Sequence, residues 1–235
     1  MSALLEARGI GLRGRLPALD LLVEEPQLVC LVGPNGSGKT SLLHALAGIG
    51  STSGVVRIDG RALSEASQAE RRRLLSYLPA AREAAWPLTA RDLVRLGLPS
   101  EAGKAEAESA LEQLNLLPFA NRRVDRLSTG ERSRVLIARS LAAKPRLLLL
   151  DEPIANLDPL WQLTLMDLLA GLAGEGQAVL LALHDLDLAA RYADWLIVMD
   201  GGRIAADGAP GEVMRGGAIR SVFGIEKGDG GWRPA

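Results

Sequence analysis

One stretch of the sequence decides the fold: Gln27-Leu28-Val29-Cys30-Leu31-Val32-Gly33-Pro34-Asn35-Gly36-Ser37-Gly38-Lys39-Thr40. Residues 28–32 form an uninterrupted apolar run, which predicts a buried strand that stops at Gly33. Residues 40–47 predict a helix that ends at Gly48. The eight residues from Gly33 to Thr40 fit the phosphate-loop pattern G-x-x-x-x-G-K-[ST], and the flanking strand and helix are the context that this pattern requires.

The residue types of this loop suit the binding of a phosphate chain. Glycines let backbone N–H groups turn toward an anion, and the helix adds its positive N-terminal end. The Lys39 ammonium can reach the β- and γ-phosphates, and the Thr40 hydroxyl can ligate Mg²⁺. A glycine-rich turn that matches by chance is the alternative, which the flanking strand and helix disfavour. The predicted nucleotide-binding residues are Gly33, Asn35, Gly36, Ser37, Gly38, Lys39, Thr40 and Ser41.

Two adjacent acids follow a second apolar run. Residues 147–150 are four leucines, which predict a buried strand that ends at Asp151 and Glu152. Asp151, at the strand tip, is a candidate ligand of Mg²⁺, directly or through water. Because successive strand residues point to opposite faces, Glu152 can face the γ-phosphate and orient or deprotonate the attacking water. Alone, the pair would be two solvated acids at a strand end; the phosphate loop upstream favours the functional interpretation.

Short apolar runs alternate with helical patterns along the rest of the chain, which predicts an α/β architecture. Further strands are predicted at residues 55–58, 177–183, 195–199 and 203–206, the last two joined by a hairpin at Asp200-Gly201-Gly202. Helices are predicted at residues 91–96, 106–114, 131–142 and 160–172. The predicted units are an α/β core of residues 1–88 and 145–215, an all-helical insertion at 89–144, and a loosely packed, glycine-rich tail at 216–235.

The composition of the 235 residues argues against several classes of protein. Hydrophobic residues make up 48% and charged residues 23%, which is typical of a folded domain. A net charge of −1 argues against a basic nucleic-acid binder. The single Cys30 excludes a disulfide framework, and only two histidines, His44 and His184, disfavour a histidine-rich metal site. No apolar run is long enough to span a membrane and no secretory signal is visible, so a cytoplasmic location is predicted.

Five features resemble the nucleotide-binding subunit of ATP-binding cassette transporters. In chain order they are the phosphate loop, Leu127-Ser128-Thr129-Gly130-Glu131, the acid pair, Asn156-Leu157-Asp158 and His184. Ser128 and Glu131 also form a capping-box pattern at a helix start, and capping alone is the alternative. The resemblance covers nearly the whole chain. It implies an α/β fold: a phosphate-loop NTPase (RecA-like) core with an N-terminal antiparallel β part and an inserted all-helical subdomain.

The resemblance also implies roles for individual residues, with ATP and Mg²⁺ as the cofactors. Ser128 and Gly130 would be presented to the ATP that a second copy of the chain holds. Asp158 would communicate between the two copies, and His184 would contact the γ-phosphate. His44, inside the phosphate-loop helix, is interpreted as structural. The implied catalytic residues are Lys39, Glu152 and His184, and the implied Mg²⁺ ligands are Thr40 and Asp151.

The sequence departs from the family pattern at two sites, the residue that stacks on adenine and the signature motif. The family usually has an aromatic residue shortly before the phosphate loop, whereas residues 8–27 contain none. Arg13 lies about where that ring would be, and a guanidinium plane can stack on a base. Thr129 and Glu131 replace a signature glycine and glutamine, but Ser128 and Gly130 are kept.

A third departure concerns the glutamine that the family places after the strand at residues 75–78. Its position falls at Ala80, and alanine cannot ligate Mg²⁺ or water. Arg82 or Glu83 nearby could substitute for it. This departure bears on the coupling between ATP and the helical insertion and leaves the expectation of ATP binding intact.

The expected function is that of an ATPase subunit that powers a membrane transporter. Its expected partners are a second copy of itself, transmembrane permease subunits docked on the helical insertion and, for an importer, a periplasmic substrate-binding protein, but no nucleic acid; its expected location is the inner face of the cell membrane. Residues 88–97 and Val222-Phe223-Gly224-Ile225 are similar to importers of ferric siderophores, haem or cobalamin. The alternatives are an exporter ATPase for lipids, haem or drugs, a soluble cassette ATPase acting on nucleic acid or ribosomes, and another phosphate-loop enzyme such as a kinase.

Overall fold

A computed structural model describes residues 3–80, 87–98, 103–228 and 231–235, and a six-stranded sheet lies at its centre. In spatial order its strands are β10 (Arg203–Gly208), β9 (Trp195–Asp200), β3 (Leu28–Val32), β8 (Ala178–Ala182), β7 (Leu147–Asp151) and β6 (Leu75–Leu78). Neighbouring strands are parallel except β9 and β10, which form the predicted antiparallel hairpin. The carboxyl ends of β3, β7 and β8 therefore lie along one edge of the sheet.

The central strands are buried on both faces, which explains why their sequences are apolar without alternation. Cys30 and Val32 point into one hydrophobic core, whereas Val29 and Leu31 point into a second core on the other face. Strands β7 and β8 divide their side chains between the two cores in the same way. Burial raises the pKa of the Cys30 thiol to about 12, so this cysteine packs as a small apolar residue.

A smaller antiparallel sheet covers the second core. Its strands, in spatial order, are β2 (Leu16–Val23), β1 (Leu5–Leu12), β4 (Thr52–Ile58) and β5 (Arg61–Ala62). Leu5, Ile10 and Ile58 pack against helix α1 (Lys39–Ala47) in this core. The antiparallel part that the resemblance implied is therefore confirmed.

Helices cover the remaining faces. Near the core they are α2 (Gln68–Leu74), α6 (Pro159–Gly174), α7 (Leu186–Tyr192) and α8 (Pro210–Arg215). In the described part of the predicted insertion they are α3 (Ala90–Arg95), α4 (Lys104–Glu112) and α5 (Thr129–Leu141), with short 3₁₀ turns at Leu117–Phe119 and Val124–Arg126. The three helices predicted in this region are confirmed within two residues at each boundary, and the division of the chain into subdomains stays a prediction.

The chain after Gly216 is not the loosely packed tail that its glycine content predicted. It forms helix α9 (Gly217–Phe223) and a hairpin of β11 (Ile225–Gly228) and β12 (Gly231–Pro234). Ile219 is buried in the first core, and the side chains of α9 and of the hairpin pack against that core. The prediction failed because glycines at 216 and 224 bound a short helix, where they act as end residues rather than as linkers.

Within the described ranges, no helix combines the length and the apolar character that crossing a membrane requires.

Candidate functional site, a nucleotide-binding edge of the central sheet

The phosphate loop keeps its shape because glycines allow close backbone contacts. A Cβ on Gly33 would lie 2.4 Å from the Met199 carbonyl oxygen and 2.4 Å from Ser37 Oγ. Gly36 and Gly38 have φ angles of +81° and +105°, a region that residues with side chains rarely adopt. Among the described residues no side chain caps α1, so its first N–H groups are available to an anion.

The loop rests on the hairpin between β9 and β10. The Gly202 N–H donates to the Ser37 carbonyl oxygen at 2.8 Å, and a Cβ on Gly38 would lie 2.9 Å from Gly202 Cα. The Ser37 hydroxyl oxygen is buried and has no hydrogen-bond partner in the described part of the chain. The β9–β10 hairpin therefore packs directly against the phosphate loop. The sequence analysis did not predict this contact.

The side chain of Lys39 folds back over the loop. Its ammonium donates to the carbonyl oxygens of Gly33 at 2.6 Å and Pro34 at 3.2 Å. Burial lowers the pKa of Lys39, and the carboxylates of Glu152 and Asp151 oppose this shift. A partly desolvated ammonium beside free helix N–H groups attracts a phosphate oxygen more strongly than a solvated lysine does.

Asp151 at the end of β7 is a buried carboxylate whose charge is only partly compensated. Its side chain lies in the interior and neither oxygen has a hydrogen-bond partner among the described residues. Burial raises the pKa of Asp151, the Thr40 hydroxyl lowers it, and the charge of Glu152 raises it further. Burial raises the pKa of the Tyr77 phenol, and the nearby Asp151 carboxylate raises it further.

The Asp151 carboxylate and the Thr40 hydroxyl are oxygen donors that fit a hard divalent cation. A carboxylate whose oxygens are unused, next to a hydroxyl, is the donor set that Mg²⁺ takes from proteins, with water and phosphate oxygens completing the shell. The described residues contain no group of three or more His, Cys, Asp or Glu side chains that could hold a metal on their own. Asp151 and Thr40 thus suit an ion that arrives together with a phosphate chain.

Glu152 and His184 meet at the same edge of the sheet. His184 Nε2 and Glu152 Oε1 lie 2.5 Å apart, and the Glu152 N–H donates to the Ala182 carbonyl oxygen at 3.2 Å. Glu152 was expected to alternate with Asp151 along a strand, but β7 ends at Asp151 and Glu152 has a φ of +50°. The turn of the backbone, not strand alternation, brings this carboxylate to the phosphate loop.

A cavity of about 330 Å³ lies over these groups. Its lining residues are Arg15, Asn35, Gly36, Ser37, Gly38, Lys39, Thr40, Ser41 and Glu152. Arg13 was expected near the base, but it is Arg15 that lines the cavity. The difference arises because residues 13–15 form the turn between β1 and β2, so that Arg15 lies next to the start of β2.

The signature residues form a second group. Ser128 caps α5, where its Oγ accepts from the Glu131 N–H at 3.2 Å and the Glu131 carboxylate accepts from the Ser128 N–H at 2.8 Å. The position of a Cβ on Gly130 would lie 3.5 Å from the Asn156 carbonyl oxygen, so this helix start lies beside the loop that ends at Asp158. Asp158 caps α6 by accepting from the Trp161 N–H at 3.0 Å.

The structure does not bring the two groups together within one chain. None of Ser128, Gly130 and Asp158 lines the cavity over the phosphate loop. The capping role of Ser128 is confirmed, yet it leaves the Ser128 hydroxyl and the first turn of α5 at the surface.

One connection between the signature and the α/β core escaped the sequence analysis. The Arg134 guanidinium of α5 lies 3.9 Å from the centroid of the Trp161 ring in the first turn of α6, and it donates to the Leu114 carbonyl oxygen at 3.0 Å. Burial lowers the pKa of Arg134 despite the carboxylates of Glu131 and Asp158. The available signal was a tryptophan near the start of the helix predicted at residues 160–172, but it pairs with a cation only through the tertiary fold.

Ala80 occupies the position of the family glutamine, and Arg82 and Glu83 were the candidate substitutes for it. Ala80 follows β6 and is exposed, whereas Arg82 and Glu83 lie outside the described residues. His44, interpreted as structural, packs edge-on against the Tyr77 ring with centroids 5.4 Å apart, which agrees with that interpretation.

The model of the family described as ABC transporter matches residues 16–155. The chain belongs to this family. ATP and Mg²⁺ are therefore its cofactors and ATP hydrolysis its activity. The hemin import ATP-binding protein HmuV of Rhodopseudomonas palustris is 41% identical to this chain over 221 residues, which covers 88% of this chain and 81% of that protein. The protein of the same name from Streptomyces coelicolor is 40% identical over 222 residues, covering 91% and 79% of the two chains.

Solved structures agree with this ABC transporter assignment. A dimeric ATP-binding cassette in a post-hydrolysis state, bound to ADP and Pi, superposes with a TM-score of 0.79 at 26% identity and covers 88% of this chain and 98% of that chain. The ATP-binding subunit of an ABC transporter superposes equally well, with a TM-score of 0.79 at 26% identity and 94% coverage of both chains. The predicted α/β fold with a phosphate-loop core is confirmed.

The buried charge of Asp151 predicts that stability and metal binding oppose each other at this position. Asp151→Asn should raise the free energy of unfolding of the nucleotide-free protein by about 1–3 kcal/mol, because a buried ionised carboxylate costs more than a buried amide. Since the folded-state pKa of Asp151 is raised, the gain should be largest near neutral pH and shrink as the pH falls toward the ordinary value of about 3.9. Urea unfolding at several pH values measures it.

Two further measurements complete this test. Mg²⁺ with ATP should stabilise the wild type more than Asp151→Asn, because the variant lacks the charged ligand. Asp59→Asn, which removes a half-exposed carboxylate paired with Arg146 at 2.6 Å, should instead lower the free energy of unfolding slightly, by about 0–1 kcal/mol. A loss of stability in Asp151→Asn like that in Asp59→Asn would contradict the analysis.

Proposed function

We propose that this protein is the ATP-hydrolysing subunit of a membrane importer and that its cargo belongs to the haem, metal-chelate or cobalamin class. The relatives described above carry the name hemin import ATP-binding protein, and they match the chain over most of its length. The observation that carries the mechanism is the separation of the phosphate-loop cavity from the signature residues. A complete ATP site then requires a second chain.

Two copies would bind head to tail and enclose two ATP molecules. In each site, one copy contributes the phosphate loop with Asp151 and Glu152, and the other contributes Ser128, Gly130 and the start of α5. The Ser128 hydroxyl and the positive end of α5 suit the γ-phosphate of the partner's ATP, because both are accessible and carry donor character. Asp158 and the neighbouring Leu160, which is 72% exposed, would lie at the contact between copies. The dimeric state of the cassette with bound ADP and Pi supports this arrangement.

The hydrolytic step uses the pair at the cavity edge. A water molecule attacks the γ-phosphorus, the bond from the γ-phosphorus to the bridging oxygen breaks, and Glu152 accepts the proton that the water loses. His184, 2.5 Å from Glu152, orients this carboxylate and contacts the γ-phosphate. Lys39 and the N–H groups of residues 36–41 stabilise charge on the β- and γ-phosphates. Asp151 and Thr40 hold Mg²⁺, which would neutralise the phosphate oxygens.

The partner subunits would act on the helical insertion. Closure of the two copies would move transmembrane permease subunits docked on helices α3–α5, and hydrolysis would reopen the pair. The protein would then lie on the inner face of the cell membrane. An importer would receive its cargo from a periplasmic substrate-binding protein.

Substitution of Glu152, the proposed general base, should separate ATP binding from ATP turnover. Glu152→Gln should bind ATP with wild-type affinity but lower kcat by about 10²–10⁴-fold, because the amide cannot accept a proton. With hydrolysis blocked, the ATP-bound pair should persist as a dimer in size-exclusion chromatography. Glu175→Gln, at the exposed end of α6, serves as the control and should keep wild-type kcat. Wild-type turnover in Glu152→Gln would rule out Glu152 as the base.

The shared site can be tested with a matched pair of caps. Ser128→Arg should lower ATPase activity by about 10²-fold or more while ATP still binds to the single chain, because the bulky charge blocks the partner's γ-phosphate. Ser67→Arg removes the same kind of capping box, formed by Ser67 and Glu70 on α2, away from the signature, and should keep activity. Equal loss of activity in both variants, or loss of ATP binding in Ser128→Arg alone, would show that Ser128 acts only as a cap.

The direction of transport and the class of cargo can be tested in the assembled transporter. Reconstituted in vesicles with its permease subunits and the periplasmic substrate-binding protein, the protein should drive ATP-dependent transport of hemin from the periplasmic face to the cytoplasmic face. Hemin should also raise its ATPase rate, with cobalamin and a ferric siderophore compared in parallel and Glu152→Gln as the inactive control. Transport in the opposite direction, or no response to any of the three cargo molecules, would overturn the importer proposal but leave the ATPase activity intact.

A further inference from the structure

The C-terminal hairpin is attached to the helix that follows His184. Helix α7 starts at Leu186, two residues after His184, and Asp187 lies in its first turn. Lys227 Nζ of β11 donates to Asp187 Oδ1 at 2.7 Å, and Trp232 Nε1 of β12 donates to Asp187 Oδ2 at 3.1 Å. Both carboxylate oxygens of Asp187 are therefore held by residues 40 and 45 positions further along the chain.

His184 lies in a short connection that is fixed on both sides. On one side the Leu183 N–H donates to the Leu31 carbonyl oxygen at 2.9 Å, which ties the end of β8 to β3. On the other side Asp185 caps α7 by accepting from the N–H groups of Asp187 and Leu188, each at 2.9 Å. Any shift of the first turn of α7 must therefore be absorbed at His184.

The hairpin is built to resist such a shift. Arg233 donates to Glu226 at 3.0 and 2.7 Å across the two strands, and the Lys227 ammonium lies 5.5 Å from the centroid of the Trp232 ring. The hairpin packs on the first core through Ile225 and Trp232. Cross-strand hydrogen bonds and packing on the core therefore hold the hairpin in place.

The far end of α7 is anchored as well. The Tyr192 hydroxyl donates to Asp167 Oδ1 on α6 at 2.8 Å. Helix α7 is thus held at both ends, and of these two anchors the one at Asp187 lies next to His184.

We propose that Asp187, Lys227 and Trp232 are positioning residues that hold His184 against Glu152. The proposal rests on the proposed role of Glu152 and His184 in hydrolysis. It gives the C-terminal hairpin a part in catalysis, although none of its described residues lines the cavity over the phosphate loop. Because Asp187 and Lys227 are more than half exposed, their ion pair contributes little to stability. A small displacement of a group beside the reacting atoms, in contrast, lowers the rate strongly.

The chain offers a direct probe of this link, because His44 and His184 are its only histidines. In ¹³C-histidine NMR spectra of the full-length chain at fixed pH, Trp232→Phe and Asp187→Asn should shift the resonances of His184 and leave those of His44 in place. The same variants should lower kcat for ATP about tenfold with an unchanged KM and an unchanged free energy of unfolding. Trp232→Phe makes no change in α7 itself, so its effect cannot arise from the helix start.

Arg8→Gln is the matched control, since it removes an exposed ion pair with Glu6 on β1 of the antiparallel sheet; it should alter neither resonance nor kcat. Unmoved His184 resonances in both Trp232→Phe and Asp187→Asn would overturn the positioning proposal. His184→Ala tests the underlying function separately. If it keeps wild-type kcat while Trp232→Phe still shifts His184, the proposed catalytic role of His184 fails and the structural link stands.

Discussion

The nucleotide site depends on one close approach of backbone to backbone, where the phosphate loop crosses the end of β9. Gly33 fits there because a Cβ would lie 2.4 Å from the Met199 carbonyl oxygen, and the Gly202 N–H fixes the loop from the adjacent hairpin. This contact sets the direction in which α1 leaves the sheet. The positive end of α1, the Lys39 ammonium and the carboxyl ends of β7 and β8 all take their positions relative to it.

Around that loop the protein accepts an unfavourable arrangement of charge. Asp151 is buried with neither oxygen paired among the described residues, and burial raises its pKa. Lys39 is partly desolvated, and its ammonium is bound only to carbonyl oxygens in the described structure. Both groups are poorly satisfied without ligands, and both suit the ligands that a nucleotide brings, a cation for Asp151 and phosphate oxygens for Lys39. Free energy stored in this way is released when the substrate binds.

The sequence predicted those parts of the fold that depend on neighbours along the chain. The phosphate loop, Asp151 and the cap at Ser128 follow from short patterns, and the structure places each on the expected element. The positive φ of Glu152 was not predictable, because no glycine or asparagine marks the turn. The hairpin at the C-terminus was missed for another reason: its partner Asp187 lies 40 residues away, and only the tertiary fold brings them together.

The separation of Ser128 from the phosphate-loop cavity also has a kinetic consequence. Under the proposed sandwich, a lone chain holds ATP without the groups that complete the site, so its hydrolysis rate at low concentration rises with the square of the protein concentration. Permease subunits that hold two copies side by side would replace this second-order encounter with an intramolecular one, at the effective concentration that tethering creates. Subunits that have not joined a transporter would then consume little ATP. The proposed division of the site between two chains would thereby protect against hydrolysis without transport.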